Sequence, residues 1–248
     1  IIYALTIMDW RNIWIIISIA IILFLPLVSY FLVKEVKLSS RENDTEVAKE
    51  YIKQWKRSEV IKDYRFIIIA LNMLAMPWIA TGIFVYQSFI LSAKNWGEYT
   101  IAQSFMVYSI ASVLTLFVAG YLIDKFTSRK LLLYMNIPFL ISLLILIYFQ
   151  SPVSSFFFLG LIGVSNGFAN VLGSSTWAEL YGVKFIGSIK ALTTALMVFS
   201  TAFGTALFGL MIDFDFSIEQ IAMISGGYIL ISLILLFSIK NKLNPTIL

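Results

Sequence analysis

The sequence predicts an all-α, polytopic membrane protein with seven transmembrane helices. Three observations carry that prediction. Hydrophobic residues are 60% of the 248 positions and charged residues 13%, against about 45–50% and 25% in soluble domains, so the chain cannot cover its surface in water. Seven apolar stretches, about 12–33, 66–92, 101–123, 131–149, 155–178, 188–212 and 219–239, are each long enough to cross about 30 Å of hydrocarbon as a helix. No Asp, Glu, Lys or Arg lies in them away from their ends. Barrel strands would alternate apolar and polar residues, and neither 15–25 nor 140–147 does. In lipid a non-alternating segment must satisfy its own backbone, which only a helix does.

The first span, 12–33, is uniformly apolar and is followed by the long connection 34–65, which mixes nine basic and seven acidic residues. Within it Val47, Tyr51 and Trp55 recur at steps of four, predicting a weakly amphipathic helix at the headgroups. The span 66–92 carries Asn72, Pro77, Tyr86 and Gln87; Pro77 frees a backbone carbonyl and predicts a kink. Asn72 and Gln87 lie about 60° apart on an ideal helix, which makes them and Tyr86 candidates to line a solute pathway. Gln103 and Tyr108 are the cavity candidates of 101–123. The span 155–178 holds Gly160, Gly163 and Gly167, assigned to close helix packing, and Asn166 and Asn170 one turn apart, which either line a pore or join helices. In 188–212, Thr194, Thr201 and Thr205 share a face with Ser200 and Gly204 beside it; Thr194 is a further cavity candidate. Spans 131–149 and 219–239 are the plainest, with Asn136 the exception, and are expected at the lipid-facing periphery.

Charge sets the orientation. Of the 18 Lys and Arg, all but Arg11 and Lys94 fall on one side of this topology, so the positive-inside rule places residue 1 outside and Leu248 in the cytoplasm, in a plasma membrane of the bacterial inner-membrane type. The basic balance is therefore an orientation signal and not a nucleic-acid footprint. Cys and His are both absent. That removes disulfides, thiolate and imidazole metal sites, Cys nucleophiles and His bases. With no mid-membrane carboxylate either, no catalytic residues, no metal and no cofactor are expected, and the chain reads as something other than an enzyme.

The third span ends Gly120-Tyr-Leu-Ile-Asp124-Lys125-Phe-Thr-Ser-Arg129-Lys130. This resembles the loop motif Gly-x-x-x-Asp-Arg-x-Gly-Arg-Arg of the major facilitator superfamily, in the weaker copy found between that family's eighth and ninth helices. Thr127 stands where the stricter motif has Gly. Asp9-Trp10-Arg11 is similar to the Gly-Trp-Arg before the family's sixth helix. Trp177-Ala-Glu179-Leu-Tyr181-Gly182 with Ile186-Gly187-Ser188 resembles its loop between the tenth and eleventh helices, and Val85-Tyr86-Gln87 resembles a Phe-His-Gln of its seventh. The order and spacing of these motifs cover essentially the whole chain.

The resemblance implies a sixth helix at 1–33, with residues 1–8 the end of a fifth, a cytoplasmic central loop at 34–65 and a C-terminal six-helix bundle at 66–248. It implies a chain lacking the N-terminal half of the same transporter, and therefore unable to transport alone. Its implied partners are that half, membrane lipid and a small-molecule substrate, an organic anion being one candidate, moved by alternating access. Gly120, Asp124, Lys125 and Arg129 would form the latch that holds the halves together on the cytoplasmic side. Physically, Gly120 would admit a close neighbour, and Asp124, unfavourable at a helix C-terminal end, would seek a partner such as Lys125 or Arg129. Any proton-coupling group would sit in the other half, because no span here holds an ionisable residue at mid-membrane. A seven-helix receptor and a non-transporting membrane scaffold are the alternatives. A retinal protein is excluded by the lack of a Schiff-base Lys in 219–239.

Overall fold

The computed structural model describes residues 8–32 and 53–247, without the side chains of 28–32 and 98. Residues 1–7 and the Val47 and Tyr51 positions of the amphipathic stretch lie outside the described residues. Trp55, the remaining member, sits in a non-helical stretch over 53–56, where the Lys53 and Trp55 amides donate to the carbonyls of Thr246 and Tyr181 at 2.8 and 3.1 Å. The chain divides into two units, residues 1–48 and 49–248. Among the described residues, seven helical segments are long and apolar enough to span a membrane.

The first unit contains α1, Trp10–Leu32, which includes Pro26. Its 23 residues rise about 35 Å, enough to cross hydrocarbon.

The second unit begins with the short α2, Arg57–Val60. Asp63 then caps α3, Tyr64–Ala75, accepting a hydrogen bond from the Arg65 amide at 2.9 Å. Pro77 does not simply kink this span. It has no N–H to donate and its ring crowds the preceding turn, and the chain widens into a π turn at Met76–Ala80 before resuming as α4, Thr81–Val85. A second break at Tyr86 leads into α5, Gln87–Lys94, which ends on Asn95 in the left-handed conformation, φ 52°. Asn tolerates that conformation better than most residues. Lys94 is almost fully buried there and pairs with Glu219 at 2.7 Å.

Helix α6 is Glu98–Phe126 and α7 is Ser128–Leu132. The stretch expected as one helix over 131–149 is broken at 133–136 and resumes as α8, Ile137–Tyr148, with Pro138 in its first turn. Proline is tolerated at that position because its missing N–H is an orphan in any helix. Helices α9, Ser154–Tyr181, α10, Ile186–Asp213, and α11, Ile218–Ser238, complete the bundle. Ser217 and Gln220 cap α11 reciprocally: the Gln220 amide donates to Ser217 Oγ at 3.3 Å, and the Ser217 amide to Gln220 Oε1 at 2.8 Å.

Helix α9 packs on α6 through its glycines. A Cβ added to Gly163 would lie 2.4 Å from the Tyr108 carbonyl oxygen, and one on Gly167 2.6 Å from that of Ser112. Helix α10 packs on the π turn, α8 lies between α9 and α11, and α11 returns to α3. One apolar cluster centres on Trp78, Phe139, Phe158 and Phe208, the other on Phe66, Trp177 and Tyr181 at the end rich in basic residues. The plain helices α8 and α11 are not the most exposed of the bundle. Within this unit α6 and α10 bury least. Met106, Ile110, Phe117 and Tyr121 on α6, and Val198, Phe199 and Phe203 on α10, are exposed.

Candidate functional site

A cavity of about 220 Å³ lies between the segmented span 64–94, α6, α9 and α10. It sits about halfway along α9: Asn166 and Asn170, which line it, are roughly 18 and 24 Å from the start of the helix at Ser154. The 64–94 span contributes Pro77, Thr81 and Phe84; α6 contributes Tyr108; α10 contributes Thr193, Leu196 and Met197. Met73, Met76, Met135 and Met197, four of the eight Met in the chain, line it, and among the described residues no charged one does. Methionine walls are soft and adapt to irregular apolar shapes. Trp177 closes the side toward the basic end. It is buried, stacks on Tyr181 with ring centroids 6.1 Å apart and tilts against Phe66 at 5.1 Å.

The side chains expected to line a pathway divide. Tyr108, Asn166 and Asn170 meet in the cavity. Asn166 also joins helices, donating to Ser112 Oγ of α6 at 3.0 Å. Asn170 is exposed and donates to the Asn166 carbonyl at 2.9 Å. Asn72 lies elsewhere: it is fully buried, donates to Ser232 Oγ of α11 at 3.2 Å, and its carbonyl accepts from Asn136 at 2.6 Å. It therefore ties three spans together. The π turn inserts extra arc between positions 72 and 87, so the ideal-helix angle that put Asn72 and Gln87 near one face does not hold. Gln87 borders a narrow gap beside Phe84 and Phe105. The Tyr86 hydroxyl is 2.5 Å from where a Cβ on Gly209 would sit. Gln103 and Thr194 are exposed and do not line the cavity; Thr193, one position earlier, does. Thr193 and the methionines carried no sequence signal, whereas Trp177 stood inside a quoted motif without a role.

At the basic end the four residues expected to form a latch do not converge. Asp124 is exposed and, among the described residues, has no ion pair; Lys125 lies over the Phe126 ring at 5.4 Å. A Cβ on Gly120 would meet nothing within 4 Å, so no helix of this bundle presses on it. Arg129 pairs instead with Glu179 of α9 through Nε. The Ser128 amide also donates to Glu179, at 3.0 Å, and the Ser128 hydroxyl bonds the same oxygen. The physical reason is the one given for Asp124: a carboxylate in the last turn of a helix opposes the dipole and needs donors. The chain reversal at Thr127 carries Ser128 and Arg129 to Glu179 and away from Asp124.

The same cluster fastens the tail. Arg129 Nη1 donates to the Leu243 carbonyl at 2.9 Å and to Asn244 Oδ1 at 2.7 Å; Arg65 Nη1 donates to the Asn244 carbonyl at 2.9 Å. Arg65 is held by Asp63 at 2.8 Å, and the Tyr181 hydroxyl donates to Asp63 at 3.2 Å. The cavity wall at Trp177 is thereby linked through Tyr181 and Asp63 to the guanidinium that grips the tail.

Thr127 makes the reversal at φ 75°, ψ 147°, a conformation suited to glycine. Its hydroxyl oxygen is buried and, among the described residues, has no partner. Replacing Thr127 with Gly is therefore expected to raise stability by about 1 kcal/mol, the strain relieved exceeding the entropy that glycine adds to the unfolded chain. A higher melting midpoint of T127G in detergent checks this; a lower one contradicts it.

A family model described as Major Facilitator Superfamily matches residues 66–247. No curated protein and no solved structure matches the chain. The matched region covers nearly all of the six-span bundle that builds the cavity and the basic-end cluster, and the chain belongs to the major facilitator superfamily of membrane transporters.

Proposed function

We propose that the bundle is one lobe of a secondary transporter that moves a small, neutral, amphipathic solute by alternating access, rocking against a second lobe. The observation that carries this reading is the mid-span cavity, with two amides and a phenol set among methionines and aromatic rings and no charge in its lining. Polar groups in such a position are costly against lipid and useful against a solute or water. The exposed apolar faces of α6 and α10 flank the cavity, and a second bundle seated on them would shut it from lipid. The basic end is read as cytoplasmic, in a bacterial plasma membrane, from the placement of all basic residues but Arg11 and Lys94. An organic anion would need its counter-charge from the facing lobe, which is why a neutral solute is preferred.

The test screens neutral, cationic and anionic small molecules for thermal stabilisation of the protein, then measures uptake of the best binder in proteoliposomes that hold both lobes. Neutral amphipathic compounds are expected to bind. Asn170→Leu with Thr193→Val is expected to weaken them about tenfold while leaving melting of the unliganded protein unchanged. Binding confined to charged compounds, or unaltered in that variant, overturns the reading.

A further inference from the structure

A second, smaller cavity has no part in that reading. It measures about 190 Å³ and lies at the basic end, between the α6–α7 reversal and the chain that leaves α11. Three cations border it: Arg129, Lys130 and Lys240. Arg129 is committed to Glu179 and the tail. Lys130 and Lys240 are exposed and, among the described residues, their side chains take part in no ion pair or hydrogen bond, and no acidic residue lines the cavity to offset them. Thr127 belongs to the same lining, and its hydroxyl oxygen is buried with no hydrogen-bond partner among the described residues. The remaining walls include Leu133 and Leu243. Tyr134, the next residue, packs edge-on against Phe237 of α11 with centroids 6.1 Å apart, and both rings are partly exposed.

We propose that this cavity binds the phosphate of an anionic phospholipid headgroup, held by Lys130 and Lys240. The occupant must present an anion beside hydrocarbon. Two unpaired lysines suit phosphate oxygens, and leucines with an aromatic pair suit the start of an acyl chain at the membrane interface. A soluble phosphate ester would satisfy the lysines and leave the apolar walls bare, so the lipid is the favoured source. Lys130 and Lys240 belong to chain segments far apart in sequence, so a bound lipid staples the α7–α8 corner to the end of α11.

The test titrates the delipidated protein in zwitterionic detergent with phosphatidylglycerol, phosphatidylcholine or glycerol 1-phosphate, read by native mass spectrometry and by melting midpoint. Phosphatidylglycerol is expected to bind at least tenfold more tightly than phosphatidylcholine, and K130Q/K240Q to lose at least tenfold of that affinity. K184Q/K190Q removes two exposed lysines of the same end outside the cavity and is expected to keep it. Because both substituted pairs are exposed, each variant should melt with the wild type when no lipid is added. Equal binding of both lipids, full retention by K130Q/K240Q, an equal loss in K184Q/K190Q, or displacement of the lipid by equimolar glycerol 1-phosphate would each overturn the proposal.

Discussion

Replacing Gly204 with alanine is expected to cost the bundle about 3 kcal/mol, whereas the same change at Gly173 is expected to cost nothing. Gly204 faces the π turn so closely that an added Cβ would lie 2.1 Å from the Trp78 carbonyl oxygen and 2.7 Å from its Cα. Those atoms are backbone, so no rotamer change clears them, and α10 would have to retreat by about 1 Å or more, loosening contacts on both sides of it. The retreat would also strain the hydrogen bond that Ser200, one turn earlier, donates to the Leu74 carbonyl at 3.2 Å. Gly163→Ala meets the Tyr108 carbonyl in the same way and belongs with Gly204. Gly82→Ala meets the Phe208 ring, a side chain rather than backbone, but that ring is buried against Trp78, so this change too should destabilise. At Gly173 and Gly120 a Cβ meets nothing within 4 Å. There alanine gains helix propensity, worth up to about 1 kcal/mol. Melting midpoints in detergent rank the series. If Gly204→Ala and Gly173→Ala melt alike, close packing at the π turn is not what holds α10. Gly120→Ala adds a separate reading: a fold left intact with transport lost would place its neighbour outside this bundle.

The spans were legible because hydrocarbon forbids charge in their interiors, a constraint that acts residue by residue and survives any packing. Their ends were less so. Asp63 starts a helix at Tyr64, two positions before the apolar run, because a cap is chosen by hydrogen bonding rather than by hydropathy. The break at 133–136 was not read from hydropathy, which stays high across it; its only marks in the sequence are Asn136 and Pro138, the cap and first turn of the helix that follows. The small-residue face of α9 could be read, since only glycine spacing produces it. Direction could not be read. Asn72 and Asn166 are the same residue type in equally apolar helices. One is sealed among α8 and α11 and the other borders the cavity, because the π turn and the partner helices decide where each points. The basic-end pairing was legible as a kind of interaction but fell on Glu179, since the positive-φ reversal at Thr127 is a property of the folded loop.

Replacing Glu179 with alanine is expected to destabilise the basic end by about 3 kcal/mol, while Asp124→Asn is expected to leave stability unchanged. Both are carboxylates near the end of a long helix, and only their surroundings differ. Glu179 accepts from the Ser128 amide, the Ser128 hydroxyl and Arg129. Ser128 is fully buried, so its amide and hydroxyl would lose their acceptor with no water to replace it. Arg129 and Glu179 keep 21% and 25% of their side-chain surface exposed, so the ion pair itself is screened and its coupling should be about 1–2 kcal/mol in a double-mutant cycle with R129Q and E179Q. The larger share of the loss comes from the orphaned Ser128. Arg129 also holds the Leu243 carbonyl and Asn244, so loosening it should free the tail, and trypsin should cut at Lys240 and Lys242 faster in E179A than in the wild type. Asp124 grips nothing among the described residues. If the latch role implied by its motif is real, D124N will slow transport per molecule while melting and tryptic cleavage stay at wild-type values. Should D124N melt early and E179A melt normally, the cluster centred on Glu179 is not what fixes this end of the bundle.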